Sequence, residues 1–237
     1  MSNYTLFYHP IAFRGNFVRC LLEYNDIQYE QRPLSDLNEI RSCDMKDSKL
    51  LSMAPPFLLD KELDLFLGQS AALVTHLARK HDMMPNSLAK IAVGEKILHD
   101  CNDVMMEITC QCGQSMWTKE KWDTFVESRF VKWLQIFENT AIREGLQPDS
   151  GFFLGESSAS FVDTSVFASW GQIMHSFPIL IPIIRKHAPC MVKLCDRLGE
   201  NPGLKRLWNR QVDLPYCGGL IEKSMHEVIP LNPGNAE

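Results

Sequence analysis

The stretch YTLFYHPIAFRGNFVRCLLEYNDIQYE, residues 4–30, decides the fold. Tyr4 to Tyr8 is a short aromatic and β-branched run that reads as a strand, and His9-Pro10 punctuates it. From Gly15 onward Phe17, Val18, Leu21 and Leu22 recur at helical spacing, which predicts an amphipathic helix ending near Asn25-Asp26. Ile27-Gln28-Tyr29-Glu30 predicts a second strand. A strand, a helix and a strand in one such stretch make a βαβ unit, whose strands should be parallel.

Working outward, Ser35 to Ser52 is polar and mixed in charge, and reads as a loop with an irregular helix. Phe57-Leu58-Leu59-Asp60 and Leu65-Phe66-Leu67-Gly68 are strand-like runs joined by the polar connection Lys61-Glu62-Leu63-Asp64. Ser70 to His81 predicts a helix with Ala71, Leu73, Val74, Leu77 and Ala78 on its apolar face. The order β-α-β-α-β-β-α predicts a mixed sheet and an α/β thioredoxin-like domain over residues 1–84. After Met83-Met84-Pro85-Asn86 the strand signals stop. Residues 88–116, 119–145, 160–177, 182–198 and 202–211 then read as helices joined by Gly, Pro, Asp and Ser clusters, an all-α domain over 85–237. Ser160-Phe161-Val162-Asp163 is a capping box that starts a helix, a structural role. Pro230 to Glu237 reads as an irregular tail.

Composition narrows the function. A net charge of -5 over 237 residues argues against nucleic acid, which demands a basic stripe. Met1 to Pro10 has no basic region followed by an apolar run, and the apolar stretch Phe177 to Ile184 is too short to span a bilayer. A cytoplasmic protein without membrane partners is therefore expected. The cysteines include one C-x-C, Cys110-Gln111-Cys112, with no second pair at metal-ligand spacing, so no metal is expected and the thiols read as small apolar residues. No C-x-x-C occurs, which excludes dithiol redox chemistry of the thioredoxin type.

Chemistry is expected where the first strand hands over to the first helix. The carboxyl end of a strand in an α/β unit is a ligand site, and the following helix N-terminus favours an anion. A Tyr8 hydroxyl there can donate to a thiolate and lower the thiol pKa from a free value of about 8.5, although a strand-end tyrosine is also an ordinary packing residue. Ala54-Pro55-Pro56-Phe57 enters a strand from a turn, where a cis peptide bond exposes the preceding backbone to a peptide-like ligand. Gly68-Gln69-Ser70 joins strand to helix, with Ser70 a natural N-cap and Gln69 placed for a carboxylate.

These three features, in this order, resemble the glutathione transferases. Tyr4 to Pro10, Arg14, and Arg19-Cys20-Leu21-Leu22-Glu23-Tyr24 are similar to the tyrosine-type alpha, mu, pi and sigma classes, with the same eleven positions from Tyr8 to Arg19. Gln69-Ser70-Ala71-Ala72-Leu73-Val74 resembles their Q-S-x-A-I segment, and Ser160 to Asp163 their S/T-x-x-D box. The resemblance covers the whole chain, strongly to residue 85 and by architecture beyond it.

The resemblance implies roles residue by residue. Tyr8 stabilises the glutathione thiolate, Arg14 supports the site near the thiolate or a glutathione carboxylate, and Gln69 and Ser70 hold the γ-glutamyl carboxylate. Asp103 reaches the γ-glutamyl amine across a homodimer interface. Lys46, or Lys49, substitutes for the glycyl-end tryptophan, since no Trp lies between residues 31 and 56. If Pro56 is the cis residue, then Pro55 precedes it and lacks the N–H that the cysteinyl part of glutathione would use; if Pro55 is cis, Ala54 supplies both groups. His9, Met105, Met106, Met116, Trp117 and the segment after Tyr216 are expected to line a pocket for a small hydrophobic electrophile. Glutathione is then co-substrate, with no other cofactor, and the implied role is detoxification. A glutathione-dependent isomerase and a non-catalytic binding or structural module are the alternatives.

Overall fold

The computed structural model describes residues 2–229, leaving aside the side chains of residues 112, 113 and 220. Strand β1 (Tyr4–Phe7) lies between β2 (Tyr29–Arg32) and β3 (Phe57–Asp60), and β4 (Leu65–Leu67) completes the sheet in the order β2-β1-β3-β4. The β1–β2 pair is parallel, with Tyr4 opposite Tyr29, and the β1–β3 and β3–β4 pairs are antiparallel. The mixed sheet expected of the βαβ-then-hairpin order is present. β2 begins two residues later than Ile27, because Asp26 takes φ +54° and the Ile27 N–H bonds Leu22 O at 2.8 Å. Those two residues close the preceding helix instead of entering the sheet.

Alternation along β1 assigns the two faces. Tyr4, Leu6 and Tyr8 join the main core under α1 (Gly15–Tyr24), while Phe7 joins Leu37, Leu50 and Phe57 on the other side, near the short α2 (Asn38–Ser42). On α1, Phe17, Val18, Leu21 and Leu22 are all fully buried, and α3 (Ser70–Lys80) buries Leu73, Val74, Leu77 and Ala78 beside it.

The hairpin end of the sheet is anchored by Asp60, 1% exposed. His76 Nε2 and Lys80 Nζ each lie 2.8 Å from its Oδ2, and the Glu62 and Leu63 N–H groups bond Oδ1. Burial opposes the charge, but the hydrogen bonds from Lys80 and His76 outweigh it and hold the carboxyl below the usual carboxylate range. A depressed pKa adds stability that is complete above the unfolded value of about 3.9 and is lost as pH falls through the folded one. Asp60→Asn should therefore flatten the acid limb of the melting temperature below about pH 4, besides lowering stability at neutral pH. Parallel acid limbs for the two proteins would contradict this.

Beyond residue 85 the described structure is helical. Helix α4 (Leu88–Ile108) starts at Ser87, whose Oγ accepts the Lys90 N–H, and stops eight residues short of the expected 116. Thr109 Oγ1 bonds Met105 O, and Cys110 and Gln111 take positive φ, so only the short α5 (Cys110–Gly113) follows. Helices α6 (Lys119–Thr124) and α7 (Val131–Glu144) run together through the π-helical turn Phe125–Phe130, ending at Gly145 with φ +109°. Likewise α8 (Phe161–Val166) and α9 (Gln172–Ser176) are continuous through Phe167–Gly171. The expected 182–198 helix is two, α10 (Ile181–His187) and α11 (Pro189–Gly199), because Pro189 forces Ala188 out of helical geometry. Helix α12 (Pro202–Gln211) docks on α1 at Gly203, where an added Cβ would fall 1.8 Å from Glu23 O. A final helix, α13 (Gly219–Val228), was not expected; Ile221, Met225 and Val228 carry its spacing. The expected irregular tail, 230–237, lies outside the described residues.

Among the described residues no single helix is long and apolar enough to cross a membrane. The bent pair Phe161–Ser176 and Pro178–His187 passes by length and composition only, and residues 161–173 of it are buried in the core.

Candidate active site

Tyr8 extends the inward face of β1 by one step and lays its ring over the first turn of α1. The fit depends on Gly15: a Cβ there would stand 2.3 Å from Tyr8 Cδ1. The phenol is 4% exposed, and burial pushes its pKa up to about 12. Hydrogen bonds from the backbone of Gly15 and Arg14, and the charges of Arg19 and Arg14, act the other way. The group is a neutral phenol at physiological pH whose oxygen accepts from the helix N-terminus, leaving its own proton for an acceptor. Gly15→Ala should displace the ring and lower stability by about 1–3 kcal/mol, the usual cost of overpacking. An unchanged denaturation midpoint would refute the overlay.

Around Tyr8 the structure gathers some of the expected residues. His9 is exposed, with its ring 5.8 Å from that of Tyr8. Arg14 caps α1, packs over the Phe13 ring at 5.0 Å and directs Nη2 to the sulfur of Met106 on α4. Asp103 is exposed one turn earlier on the same face of α4 as Met106. Met105 corrects its expectation: it is fully buried in the helical core and lines no open surface. One residue along a helix turns a side chain by about 100°, so core and site face alternate between these neighbours. Met116 is 43% exposed. Trp117 serves packing, its indole N–H donating to Ile108 O at 2.9 Å and its rings meeting Trp122 edge-on and Phe125 at a tilt.

The elements expected to hold the peptide part of glutathione meet at Gly68, where an added Cβ would stand 2.4 Å from Ser52 Oγ and 3.3 Å from the Phe57 ring. The Pro55–Pro56 bond is cis, so Pro56 is the cis residue and Pro55, half-buried, offers only its carbonyl. Ser70 is not the N-cap. Gln69 takes that position with φ +70°, no side-chain cap bond and an exposed side chain, while Ser70 begins α3 and is buried. Lys46 is exposed and 3.9 Å from Asp44, and Lys49 lines a cleft with Phe7, Arg32 and Ile40 on the other face of the sheet. Neither touches the Tyr8 cluster.

The sequence reading missed how the last helix is tied down. Ala12 N–H bonds Pro215 O at 2.9 Å, the Tyr216 ring packs on Phe13 at 5.4 Å, and Ser224 Oγ accepts the Trp117 N–H at 2.8 Å. Glu222 accepts the N–H groups of Tyr216, Cys217 and Gly218, which shapes the entry to α13. Helix α13 and the segment 215–218 that leads into it thus link the loop after Tyr8 to Trp117. Together these elements offer a neutral hydroxyl donor at a helix N-terminus, with cationic and adaptable apolar side chains beside it. That chemistry suits an anionic sulfur or oxygen.

Comparison with known proteins bears on the family and the fold. The family profile described as "Glutathione S-transferase, C-terminal domain" matches residues 93–228. The chain is 30% identical over 114 residues to a putative glutathione S-transferase alpha-5 of Dictyostelium discoideum, 47% of this chain and 51% of that protein. It is 23% identical over 215 residues to a putative glutathione S-transferase alpha-3 of the same organism, 90% of this chain and 98% of that one. The chain thus spans about half the length of the first relative and nearly all of the second. Among solved structures, a Pi-class glutathione S-transferase of Onchocerca volvulus superposes with a TM-score of 0.73 at 21% identity, over 91% of this chain and 98% of that one. NaGST-2 superposes with a TM-score of 0.65 at 20% identity, over 89% and 97%. These two show the shared fold, a thioredoxin-like domain followed by helices.

Proposed function

The chain belongs to the glutathione transferase family, and from that premise we propose that it ionises the thiol of glutathione at Tyr8 and transfers the thiolate to small hydrophobic electrophiles. The observation that carries this reading is the buried Tyr8 phenol, whose oxygen accepts from the first turn of α1 and whose proton is retained to about 12. The thiol releases its proton to solvent, and the Tyr8 hydroxyl remains protonated and donates to the sulfur anion. A hydrogen bond to a charged group contributes about 1.5–3 kcal/mol, enough to lower a thiol pKa near 8.5 by about one to two units. The sulfur electron pair then forms the bond to the electrophilic carbon. On an aryl halide the carbon–halogen bond breaks and halide leaves with its pair; in an addition the π pair moves to the neighbouring atom, which takes a proton from solvent.

Gln69, Ser70 and the start of α3 are assigned to the γ-glutamyl carboxylate, the Pro55 carbonyl to the cysteinyl N–H, and Lys46 to the glycyl end. Arg14 is assigned to the thiolate or to a glutathione carboxylate. His9, Met106, Met116 and the segment after Tyr216 form the electrophile side. Asp103 acts across a homodimer, a reading supported by the large apolar side chains left exposed at Leu51 (73%), Met53 (92%) and Leu88 (86%). The compartment is the cytoplasm and the role detoxification. Light scattering should return twice the 27.1 kDa subunit mass; a monomer at micromolar concentration would remove the role of Asp103.

Pro55 favours a second reading, a binding module with weakened glutathione contacts, since one backbone donor is missing. Calorimetric titration with glutathione, followed by conjugation to an activated aryl halide, separates the two. Binding with turnover supports the transferase, binding without turnover the module, and no binding at millimolar glutathione overturns both.

A further inference from the structure

Arg19 lies in the second turn of α1 and is 1% exposed. A guanidinium so deeply buried is costly unless its donors are matched. Here Nε donates to Gln31 Oε1 at 2.9 Å, Nη1 to Ile11 O at 2.8 Å and to Asn16 Oδ1 at 2.9 Å, and Nη2 to His9 O at 3.1 Å. Every one of these acceptors is a neutral carbonyl or amide oxygen. The nearby carboxylate of Glu23 is engaged by Arg210. Each of the three nitrogens has an acceptor while no acid in the bond set cancels the charge, and the guanidinium carbon stands 5.3 Å from the centroid of the Tyr8 ring.

Two of the acceptors, His9 O and Ile11 O, belong to the loop that directly follows Tyr8. Asn16 is held in turn from outside the sheet domain: its Nδ2 donates to Gln172 and Gln211 at 3.0 Å, and Gln211 Nε2 returns a bond to Asn16 Oδ1 at 3.0 Å. The buried amides of α9 and α12 therefore orient the acceptor that Arg19 uses.

We propose that Arg19 is a positioning residue for Tyr8, and that its cation against the phenol ring makes the hydroxyl a stronger hydrogen-bond donor. A positive charge on the ring face stabilises electron density withdrawn from the oxygen, which favours the phenolate and polarises the O–H bond. The benefit to the glutathione sulfur rests on the function proposed above; the coupling between Arg19 and Tyr8 does not. Arg14, at the helix cap and turned to Met106, is a separate cation.

The test labels the full chain with 3-fluorotyrosine, which brings phenol titration into an accessible pH range, and assigns the Tyr8 fluorine resonance by its loss in Tyr8→Phe. In ligand-free Arg19→Met, Tyr8 should titrate about half to one pH unit above the otherwise unsubstituted labelled protein. In Arg19→Lys, which keeps the charge and loses the planar fork, it should stay close to that protein's value. An unshifted Tyr8 in a folded Arg19→Met reduces Arg19 to a scaffold residue and overturns the proposal. So does a shift in Arg19→Lys as large as that expected for Met, a comparison available even where the Met variant does not fold. The thiol pKa of bound glutathione, read by thiolate absorbance, should rise in Arg19→Met by a similar amount. If glutathione does not bind while the fluorine shift is seen, the functional reading fails and the Arg19–Tyr8 coupling stands.

Discussion

Tyr8→Phe should bind glutathione nearly as well as the natural protein and turn over about ten- to a hundredfold more slowly near neutral pH. The ring is the part of Tyr8 that packs, over Gly15 and against Arg19, and phenylalanine keeps it. What is lost is one hydrogen bond to an anion, worth about 1.5–3 kcal/mol. Most contacts assigned to glutathione are to its peptide part, so affinity should change little while the thiol pKa in the complex rises. The expected signature is a kcat loss that shrinks at alkaline pH, where thiolate forms without help. Coincident thiolate titration curves for the two proteins would make Tyr8 a packing residue and move activation to His9 or a backbone N–H.

The second large effect is on stability. Asp163 is fully buried at the start of α8 and accepts three hydrogen bonds: Phe153 N–H at 2.8 Å, Ser160 N–H at 2.8 Å and Ser160 Oγ at 2.9 Å. Ser160 Oγ in turn accepts the Val162 N–H at 3.2 Å, closing the capping box. Asp163→Ala leaves two buried backbone donors without acceptors, at about 1–3 kcal/mol each, and adds a cavity. A loss of about 3–5 kcal/mol is expected, roughly 10 °C in melting temperature for a chain of this size. Because α8 packs on both α1 and α4, the loss should appear as earlier global unfolding by circular dichroism. A melting temperature within about 2 °C of the natural protein would show that the box contributes little.

Much of this was legible because the signals are local. The aromatic and β-branched run from Tyr4 to Tyr8, the helical spacing of Phe17 to Leu22 and the box at Ser160 each depend on residues within one or two turns of one another. They were enough for the mixed sheet, the change to helices near residue 85 and the placement of Tyr8 at the mouth of α1. Local signals were weaker at ends and registers. Ile27 reads as strand by composition, yet its N–H is taken by Leu22 O. Ser70 reads as an N-cap, yet Gln69 occupies the cap with positive φ. The segment from Thr109 to residue 116 reads as more helix, yet Cys110 and Gln111 take positive φ and the long helix stops.

By itself the sequence determined the order of elements, the capping of the helix at 161 and the tyrosine at the strand end, since neighbours along the chain set each of these. Only the tertiary structure decided that Met106 and not Met105 meets Arg14, that α13 ties the loop after Tyr8 to Trp117, and that Arg19 is a buried cation. The acceptors of Arg19 come from residues 9, 11, 16 and 31, with Gln172 and Gln211 behind them. A charge can be left without a counter-ion in the interior only when several neutral oxygens converge on it from separate segments, and that convergence is a property of packing which no window of sequence contains.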